Sequence, residues 1–135
     1  MAAEHIDSKD LVLGFEFPPA DIRIGKATAD AYLGATGGNG EMFEASSTVP
    51  PMAIAALAMA EMGKAMALPA GTVHVSQEVT FHRPAGLDET LTSHATVTRR
   101  VERGRINMMN VGLRVVDGSD APVMTGETSF LLPTS

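Results

Sequence analysis

Two hydrophobic periods divide this chain. The first is a dense apolar stretch from Met52 to Leu68, interrupted by charge only at Glu61 and Lys64. A helix that is apolar almost all round belongs inside a core rather than half exposed. Pro50 and Pro51 mark its start, because the first N–H groups of a helix have no intrahelical acceptor and proline loses nothing there. Thr48 or Val49 is the expected cap, and Pro69 closes the helix. Downstream the period drops to two. Over 72–82, Val73, Val75, Val79 and Phe81 share one face with Gln77, while His74, Ser76, Glu78, Thr80 and His82 share the other. The run 90–101 groups Leu91, Ala95 and Val97, the run 105–116 groups Met109, Val111, Leu113 and Val115, and 122–132 supplies a last strand. Glu102-Arg103-Gly104 joins the second and third of these as a hairpin, and Asp117-Gly118 begins another tight turn. Upstream, Leu11, Leu13, Phe15 and Phe17 alternate as far as Pro18-Pro19, as a strand would. Thr28 is placed to cap a short helix, Ala29 to Ala35, ending at Gly37-Gly38, and residues 37–48 read as loop.

The order is therefore strand, short helix, loop, long apolar helix, then four strands joined mainly by hairpins. An antiparallel sheet wrapped around one buried helix satisfies it. That is the α+β hotdog architecture, with one sheet face on the helix and the other toward water. Residues 11–135 form the expected single domain, and residues 1–10 a mobile tail. Hotdog domains pair edge to edge, which also hides an edge strand.

Composition narrows the partners. A chain of 135 residues with 44% hydrophobic content fits one folded domain. The formal charge of −6 argues against a nucleic-acid surface, which needs clustered positive charge. The absence of cysteine excludes disulfides, thiolate nucleophiles and Cys-ligated zinc. The polar N-terminal stretch has no apolar signal core, and the apolar helix is shorter than the ~20 residues of a bilayer span. A cytoplasmic location without a membrane partner is expected. Nine methionines against one tyrosine and no tryptophan describe an adaptable apolar interior.

Three segments carry more specific wording. Tyr32 to Gly38 reads Y-L-G-A-T-G-G, Val49 to Met52 reads V-P-P-M, and Gly71 to Pro84 reads G-T-V-H-V-S-Q-E-V-T-F-H-R-P. In this order they resemble the MaoC-like hydratase/dehydratase family, the (R)-specific enoyl-CoA hydratases and their relatives, over roughly residues 11–132. The matching features are the family's Y-x-x-A-T-G-D loop, its helix entrance, and its strand ending in F-x-R-P. The resemblance implies an acyl thioester as ligand, carried by coenzyme A or an acyl carrier, and a homodimer or a heterodimer with another hotdog chain. No cofactor and no metal is expected. It also implies a mechanism. An Asp after the T-G pair and a His five residues later activate water and move a proton to or from the substrate α-carbon, while a helix-entrance amide stabilises the enolate oxygen.

Here the Asp position falls on Gly38 and the His position on Phe43, and no Asp or His lies between Ala31 and His74. Asn39 and Glu41 are the nearest candidates to hold water or substrate, with Glu44 beyond them. Either glutamate becomes a base if desolvation raises its pKa, and either is a solvated loop carboxylate if it does not. Phe43 suits the wall of an acyl tunnel. Pro50 and Pro51 have no N–H, so the oxyanion donor moves to Met52 or later, with Pro51, Met52 and Ala53 as the substrate-binding surface.

Other residues carry a sharp and a bland reading each. Glu61 matches the acid that some hotdog thioesterases carry on the central helix; the bland reading pairs it with Lys64 on the solvent side. Among Arg99, Arg100, Arg103 and Arg105, Arg99 and Arg103 are the candidates for coenzyme A phosphates, against a solvated hairpin. His74, His82 and His94 are expected on the outer sheet face, without the carboxylates a metal site needs. Gly37, Gly38 and Gly40 follow a helix rather than a strand and do not form a dinucleotide fingerprint. Three functional readings follow: a thioester-binding member of the hydratase family, the non-catalytic half of a heteromeric hydratase, and a thioesterase using Glu61 or Glu41.

Overall fold

The longest alternating runs become the spine of the sheet. In the computed structural model, which describes residues 6–36 and 49–133, β5 (Leu91–Arg103) and β6 (Ile106–Val116) pair antiparallel along their whole length. The register brings Arg103 opposite Ile106, so the turn itself is Gly104-Arg105, with Gly104 at φ 59°. Strand β7 (Pro122–Leu131) adds to β6, β4 (Val73–Phe81) adds to β7, and the short β2 (Ala20–Ile22) flanks β5. The strand order is β2-β5-β6-β7-β4.

Helix α1 (Lys26–Thr36) follows β2, and helix α2 (Pro51–Ala65) contributes to the core that covers one sheet face. Ala53, Ile54, Ala58 and Met62 of α2 join Met109, Val111, Leu113 and Val115 of β6 in one buried cluster. Met109, Val111 and Val115 are fully enclosed, each contributing roughly 1.5–3 kcal/mol of transfer free energy. The alternation read from β5 and β6 survives because period two leaves no choice of face once one face is buried.

Several expected boundaries shift. Leu11 to Phe17 is not a continuous strand. Gly14 adopts φ 87°, a left-handed conformation that turns the chain, and Phe15 N–H donates to Val12 O at 2.9 Å. Leu11 and Phe17 are buried, whereas Leu13 is 66% exposed. Only the last part of the run lies along β5, through Gly14 N to Val97 O and Phe17 N to Ala95 O, both 2.9 Å. Helix α1 begins at Lys26, so Thr28 lies within its first turn instead of capping it. Helix α2 is capped at Pro50, begins with Pro51, and stops at Ala65, earlier than Pro69 requires. Met66 turns extended (φ −109°, ψ 141°) and, with Ala67, forms β3 (Met66–Ala67), parallel to β1 (Ile6–Asp7). The packed domain thus reaches back into the stretch expected as tail. Nor is α2 buried all round: Met52, Ala56, Ala60 and Lys64 form a stripe open to solvent, since the sheet covers only the opposite side.

Strand β4 departs most from its pattern. A bulge between His74 and Ser76 reverses the alternation at its start. Val73 and Val75, expected inside, are each 54% exposed. His74 is exposed, as expected, but pairs with Phe130 on the other face and stacks on its ring at 5.3 Å between centroids. Thr128, fully buried, is within 2.6 Å of His74 Nε2 through its hydroxyl.

Candidate active site at the helix entrance

The chain is pinned where it enters α2. Val49 is buried, and its N–H donates to Ala85 O at 2.8 Å. Ala85 is itself fully enclosed just past the end of β4. Pro50 (φ −56°, ψ 126°) and Pro51 then open the helix without donors. The Ala53 N–H is taken by Pro50 O at 3.0 Å. The Met52 N–H has no acceptor among the described residues, and Met52 is 50% exposed. Among the described residues, the first helical turn therefore presents the Met52 amide without an acceptor, at the positive end of a fifteen-residue helix. Beside it, Pro51 is half-buried and Ala53 buried, a small apolar surface around the donor. This is an arrangement for an oxygen that gains negative charge.

Asn39 and Glu41, together with Gly38, Phe43 and Glu44, lie outside the described residues. Both segments that flank them are positioned: α1 on one side, Val49 on the other. Glu61 lies far along α2, and its Oε1 is 2.9 Å from Lys64 Nζ. It borders, with Phe17, Met62 and Ser93, a cavity of about 20 Å³, room for little more than a water. The larger concavity, about 400 Å³, lies on the outer sheet face among Glu16, His94, Thr96 and Arg114, away from the helix.

The arginines separate into two groups. Arg23, Arg83, Arg100 and Arg114 each face a carboxylate. Arg100 also donates to Leu11 O at 3.1 Å and to Asn107, which makes it a structural tie between the hairpin and the N-terminal segment. Arg99, Arg103 and Arg105 have no partner among the described residues. Arg99 pairs with Asn110 and Arg103 with Ile106 on the outer face. The helix entrance is tied instead to Ala85, in the loop from the end of β4 to the start of β5. Twelve residues of β5 separate Leu91, at that end, from Arg103, roughly 40 Å at the rise of an extended strand. Within one protomer, then, Arg99 and Arg103 are not brought to Pro51, Met52 and Ala53. His82 is exposed and lies 2.8 Å from Thr125 Oγ1.

One well-connected side chain had no role in the sequence. Arg83, the arginine of the F-x-R-P segment, spans two carboxylates. Its Nη2 reaches Asp117 Oδ2 at 2.9 Å and Glu89 Oε2, and its Nη1 donates to Pro84 O at 2.6 Å. Glu89 Oε1 accepts from Gly86 N at 3.0 Å, and Asp117 Oδ1 accepts from Ser119 N and Ala121 N at 2.8 and 3.0 Å. The guanidinium, then the Gly86 amide, hold the Glu89 carboxyl below its usual range; for Asp117 the Ala121 amide leads and Arg83 follows. Only its place between a strand end and a proline hinted at this.

An antiparallel sheet with one long helix on its inner side defines a hotdog protein. Solved structures share the fold. The (R)-hydratase from A. caviae involved in PHA biosynthesis superposes with a TM-score of 0.77 at 20% identity, over 93% of this chain and 100% of that one. The monoamine oxidase regulatory protein from Archaeoglobus gives 0.80 at 14% identity, over 100% and 99%. The HadBC complex, a 3R-hydroxyacyl-ACP dehydratase from Mycobacterium tuberculosis, gives 0.74 at 17%, over 90% and 97%. No curated protein matches the chain. Its family is nonetheless clear: residues 12–126 match the FAS1-like dehydratase domain region, and the chain belongs to that family of hydratases and dehydratases. The MaoC-like resemblance of the motifs is borne out. No helix of the described residues is long and apolar enough to cross a membrane.

Proposed function

We propose that this chain binds an acyl thioester, of coenzyme A or an acyl carrier, with the thioester oxygen on the Met52 amide, and that hydration or dehydration there requires a second hotdog chain. The observation that carries the reading is the Met52 amide, without an acceptor among the described residues, at the α2 entrance of a dehydratase-family chain. The requirement for a partner rests on Gly38 and Phe43, which stand where the family's Asp and His are expected. Asn39 and Glu41 are the proposed polar contacts to water or substrate, and Phe43 the wall of the acyl tunnel. Edge strand β4, with Val73 and Val75 exposed, is the proposed seam for the partner. Heteromeric relatives of this fold support that arrangement: HadBC is a complex, as is ChsH1-ChsH2 from Mycobacterium tuberculosis. Arg99 and Arg103 contribute to phosphate binding in this reading only across such an assembly.

The test follows a short enoyl-CoA by loss of its conjugated thioester absorbance, with the chain alone and with a hotdog chain that carries the Asp and His. Acyl-CoA binding by the chain, with sustained turnover only in the mixture, is expected. Sustained turnover by the chain alone overturns the need for a partner, and absence of acyl-CoA binding overturns the site. The thioesterase reading is less supported, because Glu61 is paired with Lys64 beside a cavity too small for an acyl chain. Release of free coenzyme A that is lost in Glu61→Gln would reinstate it.

A further inference from the structure

We infer that Arg83 is a positioning residue for the helix entrance, acting through the loop 83–89 to hold the two segments that flank residues 37–48. The inference rests on the reading of the α2 entrance as the thioester site, and concerns what sets that site's geometry.

The loop is tied on every side. Arg83 closes it internally through Pro84 O and Glu89, and Glu89 holds the Gly86 amide. Through Asp117 the same guanidinium fastens the loop to the β6–β7 turn, whose Ser119 and Ala121 amides Asp117 already holds. From this fixed loop three hydrogen bonds reach the flanking segments. Ala85 O accepts the Val49 N–H at 2.8 Å, immediately before Pro50 and Pro51. Asp88 N donates to Ile24 O at 2.9 Å, and Asp88 O accepts from Arg23 Nε at 2.9 Å, just before α1.

Proline makes the first link stiff. With φ fixed at Pro50 and Pro51, little freedom remains between the Val49 N–H and the Met52 N–H. A displacement of Ala85 is therefore passed to the Met52 amide rather than absorbed. Asp88 takes φ 63°, a left-handed turn conformation that aspartate accepts more readily than most non-glycine residues. Arginine suits the role because one planar fork meets two carboxylates at once; lysine, a point charge, can satisfy only one well.

The experiment compares wild type, Arg83→Lys and Arg83→Gln as full-length protein by hydrogen exchange, and measures the Kd for a saturated acyl-CoA. In Arg83→Gln, exchange at the Val49 and Ala53 amides is expected to rise at least tenfold, while Val111 and Leu113 of β6 stay within about threefold of wild type. Arg83→Lys should fall between, and the acyl-CoA Kd should rise in the same order. If Arg83→Gln fails to fold, the Arg83→Lys and Asp117→Asn variants decide by the same comparison. Unchanged exchange at Val49, or an equal rise at Val111, overturns the inference, the latter because it marks general destabilisation. If wild type binds no acyl-CoA, the thioester reading fails, while the exchange comparison still decides whether Arg83 sets the entrance.

Discussion

Gly126 is where β4 can be pried from the sheet. It lies opposite Val79 in the β4–β7 pair, on the face that carries Thr128 and Phe130. A Cβ there would stand 2.5 Å from Glu78 O, 3.0 Å from Val79 Cγ1 and 3.4 Å from Val79 Cα. An ordinary carbon–oxygen approach is about 3.3–3.6 Å, so the deficit is roughly 1 Å, against backbone that cannot rotate away. Strand β7 is held by β6 on its other side, whereas β4 is the sheet's edge, so β4 must give. Overpacking of this kind costs about 1–3 kcal/mol. For a chain of this length that lowers Tm by roughly 4–10 °C. The assay is thermal and urea unfolding of Gly126→Ala beside Gly118→Ala, where an added Cβ meets nothing within 4 Å. Faster amide exchange along β4 than along β6 should accompany the loss. A Gly126→Ala protein as stable as wild type and as Gly118→Ala would refute the steric argument. Because β4 is also the proposed seam, the variant should weaken assembly with a partner chain.

Acid should loosen the Arg83 clamp. The Glu89 and Asp117 carboxyls titrate below their unfolded values, so their stabilisation is complete above the unfolded pKa of about 4 and disappears as pH falls through the folded values. Urea midpoints between pH 7 and pH 3 should fall more steeply for wild type than for Asp117→Asn, and equal slopes would count against the clamp. Thr128→Val keeps the shape of a fully buried side chain but removes the hydroxyl that meets His74 Nε2 and Ser76 O. A loss of about 1–2 kcal/mol in urea unfolding is expected; no loss would mean that His74 finds water instead.

Legibility in the sequence followed burial. Strands β5, β6 and β7 have one face fully covered, and Leu91, Val97, Met109, Val111, Leu113, Val115 and Phe130 lie inside. Edge strand β4 has no such enforcement, and its bulge exchanged the faces of Val73 and His74 in a way no alternation reveals. The run from Leu11 to Phe17 misled for a related reason. Gly14 breaks it with a positive φ, and the sequence does not tell a glycine that turns from one that merely continues. At the helix entrance, the lack of amides at Pro50 and Pro51 was legible, because proline's missing N–H is a covalent fact. The separation of Arg99 and Arg103 from that entrance was not, since it depends on where β5 runs relative to it.

By itself, then, the sequence determined the apolar helix and its proline entrance, the strands with one buried face, and the family wording from Tyr32 to Pro84. These are local properties: hydrophobic period, a fixed φ, an absent donor. Only the tertiary structure decided that the α2 helix keeps one side open, that β4 is an edge with exposed valines, and that Arg83, besides nearby Glu89, joins Asp117 across thirty-four residues of sequence. Such contacts depend on which strand ends meet in space, and on sheet order and register that no local period encodes.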